Sequence, residues 1–298
     1  LGDLIQANGA IKDIKKFYSN RKVFLLTTQP YSIFMSECPY LDGVLIDKRL
    51  ARWNLFYLNN LKKTLLKYDF SKVFDLQNSS RTKFYKRFII KNVEWSSTET
   101  SLEPGQKKKD FDQDPVLDRM EIQLKKSGVE TEFTKNIDLS WAVENTSYLV
   151  KKYTNREYIL LFPFCSPKLK NKKWPYYKEL IQKLKQEFKN KYSILLAPGP
   201  NEIKDANELN AKVVLENNEH VKLKTLISLI HSAKLIIAND TGPAHIASHL
   251  DKKGLVLFGS HTSAKKVSIE NFNFKAISVK NLDDLDVNTV LKEVKAKL

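Results

Sequence analysis

Short apolar runs alternate with amphipathic helical stretches along most of the chain. Helical spacing predicts helices over about residues 3–18, 115–126 and 177–188. Strands and helices that alternate in this way are typical of parallel sheets with crossover helices, so we expect an α/β fold. The apolar runs predict strands at residues 22–28, 43–48, 72–77, 92–95, 158–163, 193–199, 211–216, 233–239 and 254–259.

The chain is long enough for two domains. It has 298 residues, of which 42% are hydrophobic, so it can bury a large core. The polar stretch at residues 145–156 is the best candidate for a junction, which predicts domains at residues 1–150 and 151–298. The first domain opens directly on a helix, whereas a doubly wound domain normally begins with a central strand. We therefore expect that a first strand is missing and that the sheet has a gap beside residues 22–28.

The formal charge of +16 indicates an anionic partner: nucleic acid, a membrane surface or a phosphorylated substrate. Lysines scattered over helix surfaces are more often solvated than binding, so charge alone does not choose among these. No apolar run is long enough to cross a bilayer, and the first residues do not resemble a signal peptide, which favours a cytoplasmic location. Cys38 and Cys165 are too few for a zinc cluster or a disulfide framework.

The segment AKLIIANDTGPAHIASHL, residues 233–250, predicts a buried strand, a sharp turn and a helix that can hold an anion. Thr241 can cap the helix, Gly242 lets a ligand approach the backbone, and Pro243 suits the first helical position. The free N–H groups and the helix dipole attract phosphate, and His245 lies one turn into the helix. A purely structural connection would need only one such residue, so Asp240 together with Thr241 and His245 favours a binding site.

Other familiar motifs are absent or misleading. No Gly-x-Gly pair occurs, which excludes the dinucleotide fingerprint, and the phosphate loop of nucleotide triphosphatases is absent as well. The segment DFDQDPVLDRME, residues 110–121, has carboxylates at the ligand positions of a calcium loop. Pro115 stands where that loop requires a glycine, so these acidic residues are better explained as a helix start. We expect no metal site and no cofactor.

Two further segments carry candidate chemistry. The loop between the strand at 158–163 and the next helix contains Lys168, Lys170, Lys172 and Lys173, which can neutralise phosphates or simply be solvated. Asp3 lies at the start of the first helix, where it can be a cap or a general base for an incoming hydroxyl.

Four of these segments together resemble the heptosyltransferase family, glycosyltransferase family 9. LGDLIQANGAIKDI resembles the family's opening Gly-Asp segment, and YDFSKVFDLQNSSR its Asp-Leu-Gln strand. KKWP is similar to its Lys-x-Trp-Pro loop, and NDTGPAHIASHL to its Asp-Thr-Gly-x-x-His motif, the most specific of the four. The resemblance runs over nearly the whole chain in the expected order.

This resemblance implies the GT-B arrangement, in which two Rossmann-like domains with parallel sheets face each other across a cleft. The acceptor would bind the first domain and a nucleotide-diphosphate sugar, typically ADP-heptose, the second. The family transfers heptose onto the inner core of lipopolysaccharide, with inversion and without a metal. The expected partners are thus this donor and a lipid-linked or core oligosaccharide acceptor, with peripheral contact to an anionic membrane at its cytoplasmic face and no nucleic acid.

The resemblance also implies roles for individual residues. Asp3 would be the general base, and Asp240 would bind sugar hydroxyls. Glu202 would bind the ribose, with a looser local match. The diphosphate would be held by Lys172, Thr241, Gly242 and His245. The acceptor would meet Gln77, Ser79 and Ser80, with the loop at residues 96–109, whose Lys107, Lys108 and Lys109 can meet acceptor phosphates or anionic lipid.

Where the family usually has Phe-Gly-Pro-Thr, this chain has FGSHTSAKK from Phe258, which leaves the loop geometry and the choice of donor open. UDP- or GDP-linked sugars are therefore alternatives to ADP-heptose. A non-catalytic protein that binds nucleic acid through its basic surface is a different class of function. Aromatic residues are not interleaved with basic ones as in RNA-binding signatures, which argues against it. A Rossmann-like domain that has lost catalysis but still binds nucleotide is the third alternative.

Overall fold

The computed structural model describes residues 1–166, 169–189 and 191–298. The chain forms two compact units, one from Gln6–Ile137 and the other from Leu1–Ile5 together with Asp138–Leu298. They meet in sequence at residues 137 and 138, whereas the sequence pattern suggested a junction at residues 145–156. The division into an acceptor-side domain at 1–150 and a donor-side domain at 151–298 stays a prediction.

The unit Gln6–Ile137 contains short parallel strand pairs and the helices around them. Its helices are α1 (Gly2–Phe17, which begins in the other unit), α2 (Gln29–Ser36), α3 (Leu55–Leu66), α4 (Ser80–Phe88), α5 (Thr98–Ser101), α6 (Lys108–Phe111) and α7 (Val116–Lys126). Its strands are β1 (Phe24–Thr27), β2 (Gly43–Ile46), β3 (Lys72–Phe74) and β4 (Glu94–Ser96). Strand β1 pairs with β2, and β3 with β4; among the described residues no ladder joins the two pairs.

Helix α3 shows how the apolar pattern builds this unit. Asn54 caps its first turn by accepting a hydrogen bond from the Tyr57 amide at 2.9 Å. The side of the helix that carries Tyr57, Leu58, Leu61 and Leu65 is buried against β2 and α4, while the opposite side is exposed. The three-to-four-residue spacing of these apolar positions thus decides which side packs.

The unit completed by Asp138–Leu298 is built on one parallel sheet with strands in the order β10-β9-β8-β5-β6-β7. The strands are β5 (Tyr158–Phe162), β6 (Ser193–Leu196), β7 (Lys212–Val213), β8 (Leu235–Asn239), β9 (Gly254–Phe258) and β10 (Phe274–Ser278). The helices are α8 (Ser147–Tyr153), α9 (Tyr177–Phe188), α10 (Ile203–Asn207), α11 (Leu223–Ser232), α12 (Gly242–His249) and α13 (Val287–Lys297).

The sequence pattern missed β10. Its position at the sheet edge explains this, because only Phe274 is buried and the remaining residues are partly or fully exposed. In contrast, every residue of β5, β8 and β9 is buried, as expected for strands covered by helices on both faces. The carboxyl ends of these central strands carry the polar loops described below. None of the described helices is both long and apolar enough to span a lipid bilayer.

Candidate functional site

The first turn of α12 has no side-chain cap, and the Leu1 side chain packs against it at Gly242. Thr241 occupies the N-cap position in an extended conformation, but among the described contacts its hydroxyl donates to the Asn239 carbonyl at 3.3 Å and does not cap the helix. Thr241 is thus the N-cap residue, as predicted, but its side chain makes no capping hydrogen bond. Pro243 brings no N–H to this turn, and Gly242 adds no side chain. The positive end of the α12 dipole can attract an anion, which would share the space beside Gly242 with Leu1.

Asp240 lies directly before this helix start and is the centre of a charged cluster. The side chain is 3% exposed, and its Oδ2 lies 2.6 Å from Lys172 Nζ and 2.9 Å from His261 Nε2. Its Oδ1 lies 3.8 Å from His245 Nε2. Burial alone would raise the pKa of Asp240, but the hydrogen bonds from Lys172 and His261 outweigh it and hold that pKa below its ordinary value. The carboxylate is therefore ionised at neutral pH.

His245 is buried where the starts of α1 and α12 approach each other. A Cβ on Gly2 would lie 2.7 Å from His245 Cδ2, so only glycine permits this approach. Burial lowers the pKa of His245 to about 4, although Asp240 and Asp3 partly oppose the shift. Asp3 itself is exposed in the first turn of α1. The imidazole is thus neutral at neutral pH and close to the predicted base.

The lysine loop is anchored by its tryptophan. Trp174 is fully buried, and its indole N–H donates to the Leu285 carbonyl at 2.8 Å. The Asn239 side chain accepts from the Trp174 amide at 3.3 Å and donates to the Pro163 carbonyl at 2.9 Å. These contacts fix the loop beside the end of β8 and explain how Lys172 reaches Asp240. Lys168 lies outside the described residues.

Glu202 is not part of this cluster. It is the N-cap residue of α10, and its carboxylate accepts a hydrogen bond from the Gly199 amide at 2.7 Å. Burial raises the pKa of Glu202, opposed by that hydrogen bond and by the charge of Lys173. The side chain therefore closes the loop after β6, and its predicted contact with a ribose stays a prediction.

His261 belongs to the site and was not predicted from the sequence. Its ring stacks on Phe258 with centroids 5.8 Å apart, and its Nε2 meets Asp240. The only sequence signal was the unusual FGSHTSAKK stretch after β9. A cavity of about 420 Å³ lies beside it, lined by Asn171, Gly259, Ser260, Lys280, Asn281, Leu282 and Asp284.

The predicted acceptor residues lie together in the unit Gln6–Ile137, at the loop between β3 and α4. The Gln77 side-chain oxygen accepts from Arg49 Nη2 at 2.5 Å, and the Ser80 carbonyl accepts from Arg52 Nη1 at 3.4 Å. The Ser79 hydroxyl caps α4 in a capping box with Thr82, so it already has a structural task. Gln77 and Ser80 are exposed.

A buried hydrogen-bond network lies beneath Arg49, in the β2–α3 loop, and Arg81, in α4. The Asp47 carboxylate accepts from Tyr57, from Tyr85 at 2.7 Å and from the Arg49 amide at 2.8 Å. Arg81 donates to the Leu50 carbonyl at 3.0 Å and to the Tyr85 hydroxyl at 3.1 Å. The Arg49 backbone is thereby tied to the buried Asp47, while its side chain is exposed. Sequence reasoning did not single out these arginines.

The loop at residues 96–109 and the expected absence of a metal site are the remaining predictions. Residues 96–109 form α5 and the turn into α6, and Lys108 pairs with Asp112 at 2.8 Å. In the part of the chain that the structure describes, no three His, Cys, Asp or Glu side chains are grouped to hold a metal ion. The expectation that the reaction uses no metal stays a prediction.

Comparisons with known proteins agree with the motif pattern. The family model described as glycosyltransferase family 9 (heptosyltransferase) matches residues 58–284. Lipopolysaccharide heptosyltransferase 1 from Campylobacter coli is 22% identical over 350 residues, covering 100% of this chain and 95% of the relative.

Solved structures show the same fold. The E. coli heptosyltransferase WaaC with ADP superposes with a TM-score of 0.73 at 17% identity, covering 100% of this chain and 97% of that one. The E. coli ADP-heptose LPS heptosyltransferase II gives a TM-score of 0.74 at 18% identity, with coverage of 99% and 95%. The predicted α/β fold of GT-B type is confirmed.

Proposed function

Because the chain belongs to glycosyltransferase family 9, the heptosyltransferases, and is therefore a glycosyltransferase, we propose that it transfers heptose from ADP-heptose to a lipopolysaccharide core or a related glycolipid. The observation that carries this proposal is the cluster of Lys172, Asp240 and His245 at the start of α12, whose first turn has no side-chain cap. It combines groups for a diphosphate with a carboxylate for sugar hydroxyls. The printed names of the relatives support heptose as the sugar and lipopolysaccharide as the acceptor.

The reaction would be an inverting single displacement. The acceptor hydroxyl oxygen attacks the anomeric carbon while the bond from that carbon to the diphosphate oxygen breaks. The proton of the hydroxyl goes to the Asp3 carboxylate, and the electron pair of the broken bond stays on the departing ADP. Asp3 is exposed beside the buried His245, which supports its access to solvent-borne substrate.

Stabilisation of the departing diphosphate would not need a metal. Lys172 brings a full positive charge, and the start of α12 brings the dipole and the backbone around Thr241 and Gly242. His245 is neutral at neutral pH, so it acts as a hydrogen-bonding group and not as a cation. Asp240 would bind sugar hydroxyls, and Glu202 the ribose.

Gln77 and Ser80 would bind the acceptor, with Ser79 shaping the loop through its cap on α4. The exposed Arg49 and Arg52 beside them can pair with phosphate or carboxylate groups of a core oligosaccharide. We further propose that the enzyme works in the cytoplasm, in peripheral contact with the membrane that carries its acceptor.

Calorimetric titration with ADP, UDP and GDP, in the presence of a chelator, tests the donor assignment. ADP should bind, and the double variant Thr241→Ala, His245→Ala should bind it at least about tenfold more weakly, because two polar side chains are removed while Lys172 and the α12 backbone remain. His231→Gln, at the exposed end of α11, is the matched control and should bind like the wild type. Tighter binding of UDP or GDP would mean that the donor is a sugar linked to that nucleotide. Binding that requires a divalent ion would contradict the metal-free mechanism.

Turnover tests the rest of the proposal. Asp3→Asn should keep ADP affinity and lose transfer of heptose from ADP-heptose by about 100-fold or more, since it removes the base but not the donor site. Equal transfer by Asp3→Asn and the wild type would show that another group accepts the proton.

A further inference from the structure

Large apolar side chains are exposed at the end of the β2–α3 loop. Trp53 is 85% exposed, and Leu55 and Phe56, in the first turn of α3, are 75% and 78% exposed. Leu66 at the end of the same helix is 61% exposed. This concentration within one loop and one helix contrasts with the scattered single apolar residues normal on protein surfaces.

The same segment is strongly basic. Residues 48–68 contain six lysines and arginines and no aspartate or glutamate. Lys62 and Lys63 are exposed on the outer side of α3, on the side where Leu55 and Leu66 also lie. A helix with aromatic and leucine residues beside lysines on its exposed side is typical of segments that lie in a membrane interface.

Hydrogen bonds tie the backbone of this loop to the buried residues beneath it. The Arg49 amide donates to Asp47 at 2.8 Å, Arg81 binds the Leu50 carbonyl at 3.0 Å, and Asn54 caps α3. The Arg52 guanidinium lies 5.8 Å above the Phe84 ring. The backbone on either side of Trp53 is thus anchored, while Trp53 and Phe56 stay exposed.

We propose that this surface docks on an anionic lipid bilayer. We call it the docking surface and define it as Leu50, Trp53, Leu55, Phe56 and Leu66 with the surrounding Lys48, Lys62 and Lys63. Trp53 and Phe56 insert at the headgroup level, where aromatic side chains are enriched, and the lysines meet acidic headgroups. The absence of acidic residues in this segment argues for lipid over a second copy of the chain, because two such basic surfaces repel each other.

The inference rests on the proposed function only in that a glycolipid acceptor requires a membrane nearby. Its test therefore uses no nucleotide and no acceptor. The full chain is mixed with vesicles of phosphatidylcholine, with and without phosphatidylglycerol, and the bound fraction is measured by sedimentation. The wild type should bind the vesicles that contain phosphatidylglycerol and remain free with phosphatidylcholine alone.

Variants separate this surface from the general positive charge. Trp53→Ser with Phe56→Ser should lower vesicle affinity on the order of 100-fold, and Lys62→Gln with Lys63→Gln by about tenfold. Phe272→Ser is the matched control, because Phe272 is 89% exposed but lies in the other unit, and it should bind like the wild type. Thermal unfolding of each variant checks that it is folded.

Fluorescence locates the contact. Trp53 is the most exposed of the four tryptophans, so its emission should shift to the blue and be quenched by lipids labelled in the upper acyl chain. Trp53→Phe should keep binding and lose this signal. Unchanged vesicle binding by the variant Trp53→Ser, Phe56→Ser would overturn the proposal. A wild-type dimer that dissociates on these substitutions would overturn it as well, because the surface would then bind a second copy of the chain. If the wild type neither binds ADP nor transfers heptose, the proposed function is rejected, but the result of the vesicle assay still stands.

Discussion

Lys172 and Asp240 lie 68 positions apart in the chain, yet the Lys172 ammonium is 2.6 Å from the Asp240 carboxylate. The pair is held in place from both sides, by the buried Trp174 that follows the lysine and by β8 that precedes the aspartate. A diphosphate would compete with Asp240 for this ammonium. We therefore expect Asp240 to weaken the binding of the nucleotide and to support the binding of the sugar.

Asp240→Asn tests this competition. The substitution removes a negative charge beside the diphosphate and frees Lys172, so ADP should bind on the order of 3- to 10-fold more tightly. Transfer of heptose should fall by about 100-fold, because the sugar loses its charged hydrogen-bond acceptor. Calorimetry and turnover measured on the same preparation check the two effects. Weaker binding of ADP would mean that Asp240 supports the nucleotide itself.

His261 should matter for the sugar and not for the nucleotide. When Lys172 turns to the diphosphate, His261 Nε2 remains as a hydrogen-bond donor to Asp240. His261→Phe keeps the stacking on Phe258 but removes the donor, so kcat should fall about tenfold with ADP affinity unchanged. His261→Gln, which retains an N–H at a similar distance, should restore most of the activity. Failure of glutamine to rescue would point to a packing role.

Gly2→Ala tests the close approach of α1 to α12. The new methyl group would lie 2.7 Å from His245 Cδ2, so the imidazole must move. ADP affinity should drop by about tenfold, and the free energy of unfolding should fall by about 1 kcal/mol, because the gain in helix propensity only partly offsets the crowding of the buried imidazole. Gly128→Ala would not serve as a control, because Gly128 has a φ of 79° and alanine would be strained in that conformation. An unchanged affinity would show that His245 does not contact the diphosphate.

Stability should decrease in acid because of buried histidines. Burial lowers the pKa of His245 to about 4 and that of His249 to about 3. Both values lie below that of an unfolded histidine, so the folded chain resists protonation and the unfolded chain gains protons as pH falls through about 6.5. Each residue should thereby cost about 2 kcal/mol between pH 7 and pH 5.

His249→Leu isolates this effect outside the charged cluster around Asp240. Within the described contacts His249 Nε2 has no hydrogen-bond partner, so leucine also removes a buried unsatisfied group. The free energy of unfolding in urea is measured at pH 7 and at pH 5. Between these two pH values it should fall by about 2 kcal/mol less in the variant than in the wild type. His231→Leu, at an exposed position, should leave the difference between the two pH values as it is in the wild type.

Arg49→Gln tests the acceptor assignment. It removes an exposed guanidinium that holds Gln77, so KM for a phosphorylated acceptor should rise about tenfold while ADP affinity remains unchanged. The comparison of a phosphorylated acceptor with its dephosphorylated form shows whether charge is recognised. An equal effect on both forms would limit Arg49 to positioning Gln77.

The amino-acid sequence by itself determined the alternation of strands and helices, because burial on both faces leaves uninterrupted apolar runs such as those of β5, β8 and β9. It also marked the start of α12, since the local pattern of Asp240, Thr241 and Gly242 needs no distant partner to be recognised. The sequence did not predict the edge strand β10, because only one of its residues is buried and its hydrophobic pattern is correspondingly weak.

Only the tertiary structure decided which distant residues meet. Lys172, His245 and His261 converge on one carboxylate because parallel strands gather the loops at their carboxyl ends. The structure also directs the Thr241 hydroxyl to the Asn239 carbonyl and not to the helix. The exposure of Trp53 and Phe56 is likewise tertiary, since it depends on which side of α3 finds a core to pack against.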